Sequence, residues 1–213
     1  MAKKRSAKRR TWNKGIALGQ KDAFTPDQVK RIRQALARRG GSGLRDLALF
    51  SVAIDTMLRG PKLLDLTVKD VQRPDGTIRP VIEVAGSGRR APVRCALSKG
   101  SATALGKWIA VSDKKRTDYI FPSRRAGSSR PMTVRQLSRL LKLWIAAAGL
   151  DPKKYGHESL RRTKALHILN STGDLETVRV LLGHEKIEST AYYLSIAKRS
   201  KSDPIAISSA FDI

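Results

Sequence analysis

Four residues far apart in the sequence carry side chains that could together act on a phosphodiester: Arg59, Arg161, His184 and Tyr193. An arginine guanidinium can hold two non-bridging phosphate oxygens, because its donors form a planar fork. A histidine can hydrogen-bond the same oxygens, and a tyrosine phenol can attack the phosphorus. Three of these residues also have an ordinary explanation: Arg59 could cap helix carbonyls, His184 could be a charge partner at a helix end, and Tyr193 could be a half-buried aromatic. The combination, more than any single residue, points to chemistry on a nucleic-acid backbone.

Other kinds of phosphate chemistry find little support in the sequence. No Asp/Glu cluster is suited to holding two metal ions, and the chain has no Gly-x-x-x-x-Gly-Lys-Ser/Thr loop for ATP. Cys95 is the only cysteine, which excludes an internal disulfide framework and a cysteine-based zinc site. A single free cysteine is typical of a reducing compartment. We therefore expect a cytoplasmic protein that uses neither a metal nor a cofactor.

The charge of the chain indicates the class of its partner. The 213 residues include 43 Lys and Arg against 18 Asp and Glu, a formal net charge of +25. Seven of the basic residues lie in residues 1–14, which contain no acid, so most of the excess belongs to the rest of the chain. A protein with this charge is expected to bind a polyanion, and that binding should weaken steeply as the salt concentration rises. Nucleic acid is the expected partner, and the charge by itself favours DNA and RNA about equally. A structural or RNA-binding role is an alternative that only the charge supports.

The elements that must position these residues are mostly helices. Helix-start signals and apolar periodicity predict a helix from Thr25 and a second one that ends near Arg59. Two strands are expected at 77–84 and 91–97, joined as a hairpin by the glycines at 86–88. Further helices are predicted over 101–110, 133–148, 159–171 and 174–182, followed by a last helix that holds Tyr192 and Tyr193. The fold class is therefore mainly α with a small antiparallel β-sheet (α+β).

The predicted domain organisation is simple. Residues 1–21 are expected to form a basic disordered arm, residues 22–198 one folded domain, and residues 199–213 a C-terminal tail. The apolar runs are too short for a membrane-spanning helix, so no membrane association is expected.

Three stretches resemble the catalytic domain of the tyrosine recombinase, or phage integrase, family. Residues 45–60 are similar to the first arginine box of that family, and Ser-Leu-Arg-Arg-Thr-Lys-Ala at 159–165 is similar to the second. The third stretch is Leu-Leu-Gly-His at 181–184 followed by Thr-x-x-Tyr at 190–193, which is highly specific in that order and spacing. The resemblance is especially close to short bacterial integrase-like proteins that lack most of the N-terminal core-binding domain. It implies the tyrosine recombinase catalytic-domain fold.

The resemblance also implies a role for each of the four residues. Tyr193 would attack the phosphorus and form a 3′-phosphotyrosyl bond, leaving a free 5′-hydroxyl, so that the strand can be resealed without ATP. Arg59 and Arg161 would stabilise the negative charge of the transition state, and His184 would support the same oxygens. Tyr192 is a competing nucleophile, but the spacing of nine residues from His184 favours Tyr193. The implied activity is that of a site-specific recombinase or integrase.

The chain departs from the family pattern where a proton donor is needed. The catalytic lysine of the family belongs on the hairpin, but Val-Ala-Gly-Ser-Gly-Arg-Arg-Ala at 84–91 contains no lysine. Arg89 and Arg90 could reach the phosphate, but an arginine holds its proton too tightly to be an equivalent acid. Lys99, just beyond the second strand, is a weaker substitute.

Two further departures lie beside the arginines. The residue three before Arg161 is Glu158, where the family has histidine, and a carboxylate there would repel the phosphate. His157 is four before Arg161 and could contribute instead if the helix extends that far, because positions three and four apart share a helix face. Lys62 stands where the family usually has an acid, three residues after Arg59.

The remaining expectations concern partners and alternatives. DNA contacts are expected from six basic residues: Arg89, Arg90, Arg135, Arg139, Arg162 and Lys164. A homotetramer on paired sites is expected, with the tail exchanged between protomers, and accessory proteins could supply the missing DNA-clamping domain. The departures leave open a catalytically impaired DNA-binding protein on the same fold, and the same chemistry would also serve a topoisomerase-like relaxing activity.

Overall fold

The computed structural model of the protein describes residues 20–86, 92–123 and 130–194. Over these residues the elements are α1 (Pro26–Ala37), α2 (Gly41–Thr56), α3 (Gly60–Leu64), α4 (Val68–Val71), β1 (Val81–Val84), β2 (Val93–Ala96), α5 (Lys99–Ala110), α6 (Val134–Ala147), α7 (His157–Thr172), α8 (Leu175–Leu182) and α9 (Ile187–Tyr193). Of the predicted arm of residues 1–21, residues 1–19 lie outside the described residues. Arg89, Arg90 and the tail 199–213 lie outside them as well. The predicted fold class, mainly helical with a small antiparallel sheet, is confirmed.

Local sequence signals account for the starts of the long helices. Thr25 and Gln28 form a capping box at α1, with the Gln28 amide donating to Thr25 Oγ1 at 3.3 Å and the Thr25 amide donating to Gln28 Oε1 at 3.0 Å. Thr133 and Gln136 repeat this arrangement at α6. Such a box satisfies backbone donors that have no partner within the helix. Both predicted helix starts are confirmed.

The predicted end of the second helix is wrong. The helix α2 stops at Thr56, whose hydroxyl donates to the Val52 carbonyl at 2.8 Å, and Met57 then adopts a left-handed backbone conformation with φ of 51°. Arg59 consequently has extended backbone and is the N-cap residue of α3. A hydroxyl that bonds back to the preceding turn competes with helix propagation, and a non-glycine residue at positive φ ends it. This break allows the Arg59 side chain to project from a helix start into solvent.

The sheet is a short antiparallel hairpin. Val81 pairs with Ala96 and Val84 with Val93, so both strands are shorter than the predicted 77–84 and 91–97. Ile82 and Cys95 face each other on the buried side of the pair, and Ile82 is fully buried. Because successive strand residues alternate between faces, the sheet has one buried and one exposed surface. The base of the hairpin therefore lies firmly on the core.

Two clusters of apolar side chains hold the helices together. The main cluster draws on α1 to α6, both strands and the start of α7, and its largest fully buried members are Phe24, Phe50, Phe121 and Trp144. The Trp144 indole N–H donates to Asp46 Oδ2 at 3.0 Å, so its one polar atom is satisfied. Trp108 is partly buried and packs against the same cluster.

The small cluster consists of Met57, Ala165, Val178, Leu182 and Leu194. It joins the middle of α7 to α8 and α9. The helix α7 begins at His157, two residues earlier than predicted, and carries buried residues of both clusters. Within the residues that the structure describes, no helix is both long and apolar enough to cross a bilayer.

Candidate active site

Tyr193 is the last residue of α9, and its ring is held between elements distant in sequence. The phenol donates hydrogen bonds to Glu158 Oε2 at 3.3 Å and to the Glu158 carbonyl at 3.4 Å. The Tyr193 carbonyl accepts a bond from Gln20 Nε2 at 2.5 Å. The hydroxyl is therefore anchored on the first turn of α7, next to the predicted second arginine box.

Two guanidinium groups of α7 lie over the Tyr193 ring. The Arg161 Cζ is 5.8 Å from the ring centroid and the Arg162 Cζ is 5.1 Å away, both within range of a cation–π contact. Arg161 is only 5% exposed, and one of its terminal nitrogens donates to the Leu182 carbonyl at 2.6 Å. Burial lowers the pKa of Arg161, as does the charge of Arg59, whereas Tyr193 and Glu158 raise it. A buried arginine with donors still unused is ready to hold an anion.

His184 reaches the same tyrosine from the end of α8. Gly183 ends that helix in a left-handed conformation with φ of 63°, and a Cβ there would lie 3.0 Å from Val93 Cγ2, so glycine fits both constraints. The His184 ring then stands edge-on to the Tyr193 ring at 5.7 Å between centroids. His184 Nδ1 and Thr190 Oγ1 share a hydrogen bond of 3.0 Å, which fixes the orientation of the imidazole.

Arg59 completes the group from the start of α3. Its side chain is exposed and makes no hydrogen bond or ion pair to any other described residue. Arg59 lines a cavity of about 360 Å³ together with Tyr193 and His184. The four residues predicted from their types and spacing are therefore brought together, and capping of helix carbonyls, the ordinary explanation for Arg59, does not apply.

The protonation states follow from burial and charge. Burial is the main cause of the raised pKa of Tyr193, and the Glu158 carboxylate raises it further, against the opposing effect of Arg161 and Arg162. The hydrogen bond from His157 is the main cause of the lowered pKa of Glu158. At neutral pH the site accordingly holds a neutral phenol that donates to an ionised carboxylate.

The two unusual residues at the start of α7 behave differently from each other. The helix does extend to His157, as its predicted participation requires, but the imidazole contacts Glu158 Oε1 at 3.4 Å through Nε2 and Ser138 Oγ at 3.3 Å through Nδ1. Glu158, a predicted site residue expected to repel a phosphate, accepts the hydrogen bond of the Tyr193 phenol. No local signal predicts this contact, because it joins residues 35 positions apart.

The predicted DNA-contacting residues differ in their exposure. Arg162 is 7% exposed and one of its terminal nitrogens donates to the Lys21 carbonyl, so it binds the chain itself. Lys164 is partly buried, whereas Arg135 and Arg139 are exposed on α6. Arg89 and Arg90 lie outside the described residues.

In the described part of the chain, no group of three or more His, Cys, Asp or Glu could hold a metal ion.

A helical domain that gathers a tyrosine, arginines and a histidine in this way has the organisation of a tyrosine recombinase catalytic domain. The chain belongs to the phage integrase family, whose family model matches residues 22–200. This confirms the resemblance found in the sequence.

Individual relatives agree with this assignment. The tyrosine recombinase XerD of Haemophilus ducreyi is 32% identical over 157 residues, which are 73% of this chain and 51% of that protein. The crystal structure of XerA recombinase has a similar fold, with a TM-score of 0.68 at 22% identity, over 86% of this chain and 65% of the other. The XerH site-specific recombinase, in its post-cleavage complex with palindromic difH substrate, gives a TM-score of 0.65 at 20% identity, over 82% and 50% of the chains. The chain thus spans about half the length of the XerD relative.

Proposed function

We propose that this protein is a site-specific recombinase or integrase that cuts and rejoins double-stranded DNA through a 3′-phosphotyrosyl intermediate at Tyr193. The single observation that carries the proposal is the position of the Tyr193 ring. The Arg161 guanidinium lies over this ring, and the ring lines one cavity together with Arg59 and His184. A nucleophile surrounded by cationic donors is suited to a substrate that gains negative charge as it reacts.

In this mechanism the Tyr193 oxygen forms a bond to phosphorus while the bond from phosphorus to the 5′ oxygen breaks. The Arg59 and Arg161 guanidiniums hold the non-bridging oxygens, and each contributes on the order of 3 kcal/mol to transition-state stabilisation. The Tyr193 phenol already donates to the ionised Glu158 carboxylate at 3.3 Å, so that carboxylate takes up the phenol proton as the new bond forms. His184, oriented by Thr190, donates to the same phosphate.

Double-stranded DNA as the partner is supported by charge and by the family. A net charge of +25 favours a polyanion, and the XerH neighbour is a complex with its difH substrate. We assign non-specific backbone contacts to the exposed Arg135 and Arg139, with Arg89, Arg90 and Lys164 as further candidates, and a positioning role to the buried Arg162. Assembly as a homotetramer on paired sites, with tail exchange through residues 199–213 and help from accessory DNA-binding proteins, completes the proposal.

A nicked DNA substrate that traps the covalent intermediate tests this function. The wild-type protein should form an adduct that survives denaturing electrophoresis, because the cut strand is held as an ester. Tyr193→Phe should abolish the adduct and retain DNA binding, whereas Tyr192→Phe, a matched change at the adjacent exposed tyrosine, should retain both. Absence of any wild-type adduct, or its survival in Tyr193→Phe, would overturn the proposal.

A second candidate is a catalytically impaired DNA-binding protein on the same fold. The observation that favours it is the lack of a lysine at 84–91, since loss of a general acid typically slows such a reaction by about 10²- to 10⁴-fold. On this alternative, wild type and Tyr193→Phe would bind DNA equally well and neither would form an adduct.

A further inference from the structure

The proposed reaction needs a proton donor that the described catalytic group does not contain. Breaking the bond to the 5′ oxygen releases an alkoxide, a strong base that leaves readily only if it is protonated as it departs. Arginine is a poor donor for this purpose because its guanidinium stays protonated. A lysine ammonium can give up a proton and later take it back, so the lysines that border the site are the candidates.

Two cavities meet at Arg59, and each contains a lysine. The first is the cavity of about 360 Å³ that also holds Tyr193, His184 and Lys186. The second, of about 120 Å³, is lined by Lys62 and Arg161 together with residues 84–86 at the base of the hairpin. The two cavities share only Arg59 and Gly183 among their lining residues. The nucleophile therefore faces one cavity, and Lys62 faces the other.

This division matches the geometry of the reaction. In phosphoryl transfer the attacking and leaving oxygens lie roughly in line, on opposite sides of the phosphorus. A phosphate held between Arg59 and Arg161 with Tyr193 attacking from the first cavity directs its leaving oxygen towards the second. Lys186 lies on the nucleophile's side, whereas Lys62 lies on the side to which the 5′ oxygen departs.

The backbone at Lys62 is held in place by packing, whereas its ammonium has no hydrogen-bond or ion-pair partner among the described residues. It lies on α3 between residues of the main cluster, with Leu63 and Leu64 fully or almost fully buried. A Cβ on Gly60 would lie 3.1 Å from Val134 Cγ2, so the start of α3 fits closely against α6. The Lys62 side chain is partly buried and makes no hydrogen bond or ion pair to another described residue.

We propose that Lys62 is the proton donor to the leaving 5′ oxygen, a role that rests on the proposed function. As the Tyr193 oxygen bonds to phosphorus and the bond from phosphorus to the 5′ oxygen breaks, a Lys62 proton moves to that oxygen and leaves a neutral amine. In rejoining, the amine takes the proton back from the attacking 5′-hydroxyl. The two departures from the family pattern, a lysine at 62 and none at 84–91, then compensate each other.

A substrate with sulfur in place of the bridging 5′ oxygen separates proton donation from every other role. A thiolate is a much weaker base than an alkoxide and leaves without a proton. Lys62→Met should slow adduct formation on the oxygen substrate by about 10²-fold or more, and should react with the sulfur substrate at nearly the wild-type rate. Lys62→Arg should behave in the same way, because arginine keeps the charge but not the acidity. Lys69→Met, at an exposed position of α4, is the matched control and should react normally with both substrates.

The outcomes are distinguishable from failure of the proposed function. A wild-type rate for Lys62→Met on the oxygen substrate, or an equal loss on both substrates in a variant with unchanged thermal stability, would overturn the role of Lys62. If the sulfur substrate restores the rate of Lys186→Met instead, proton donation belongs to Lys186, and the role of Lys62 is overturned. A wild-type protein that cleaves only the sulfur substrate would show that no side chain donates the proton. A wild-type protein that forms no adduct with either substrate would overturn the proposed function itself.

Discussion

The two hydrophobic clusters support opposite halves of the site. Leu58 and Leu63 of the main cluster flank Arg59, so this arginine is mounted on the part of the molecule with the most buried apolar surface. Tyr193 packs against the small cluster and sits on a helix of seven residues. Few buried contacts imply a low free energy of local opening. We therefore expect Tyr193, the proposed nucleophile, to lie on the side that opens more easily, and Arg59 on the more stable side.

The helix α7 connects these halves. Leu160 belongs to the main cluster and Ala165 to the small one, and Arg161 lies between them with its guanidinium on the Leu182 carbonyl of α8. Arg161, the proposed phosphate ligand, is thus also the link between the two clusters. If α8 and α9 separate from α7 at this link, Tyr193 moves away from the arginines while the main cluster stays folded.

Truncating one residue in each cluster should produce the largest difference. Trp144→Ala should lower the free energy of unfolding by about 3–5 kcal/mol, because it empties the main cluster and leaves Asp46 without its indole donor. Leu182→Ala in the small cluster should cost less, about 2–3 kcal/mol, and should speed amide hydrogen exchange in α8 and α9 first. Denaturant unfolding and residue-resolved exchange measure both effects. Uniform acceleration of exchange in Leu182→Ala would show that the small cluster does not open by itself.

The next largest effect is expected at Arg161, which links the two clusters. Arg161→Lys keeps the charge but loses the planar fork, so it cannot bond the Leu182 carbonyl and also hold a phosphate through two parallel N–H groups. Adduct formation should fall by about 10²- to 10³-fold. Arg135→Lys, at an exposed position of α6, is the control and should leave the rate of adduct formation almost unchanged. Equal rates for the two variants would remove Arg161 from the site.

A smaller effect concerns the protonation of the Tyr193 phenol. Glu158→Gln removes a charge that raises the pKa of Tyr193, so the pKa of the phenol should fall and its ultraviolet titration should shift to lower pH. Tyr193→Phe identifies the transition by abolishing it, and Glu83→Gln on β1 should leave it in place. A titration unaffected by Glu158→Gln would mean that the carboxylate does not act on the phenol.

The same variant predicts a change at acid pH. Because folding lowers the pKa of Glu158, its contribution to stability is present above its ordinary pKa and is lost as the pH falls through the lowered value. The wild-type protein should therefore lose more thermal stability than Glu158→Gln over that acid range. Parallel melting-temperature curves for the two proteins would contradict this account.

The sequence predicts the elements better than it predicts the contacts between them. The start of α1 at Thr25 and the end of α8 at Gly183 follow from local capping chemistry, and both are present in the structure. The break after Thr56 has no glycine to signal it, because Met57 adopts the left-handed conformation itself. The contact from Tyr193 to Glu158 and the cavity beside Lys62 depend on how distant helices pack, which residue spacing does not encode.

The smallest expected effect uses the single thiol as a reporter of the main cluster. Cys95 is 3% exposed beside Ile82, and burial raises its pKa to about 11. It should therefore react very slowly with a thiol reagent at neutral pH, and Leu182→Ala should barely change the rate, whereas Trp144→Ala should increase it. Equal acceleration by both changes would mean that the clusters open together.

Locating the nucleotide after covalent trapping tests the central claim most directly. The trapped adduct is digested with nuclease and protease, and the modified peptide is sequenced by mass spectrometry. The account predicts one modified residue, Tyr193, joined through its phenolic oxygen to a 3′-phosphate. A nucleotide on Tyr192 or on any other side chain would contradict it.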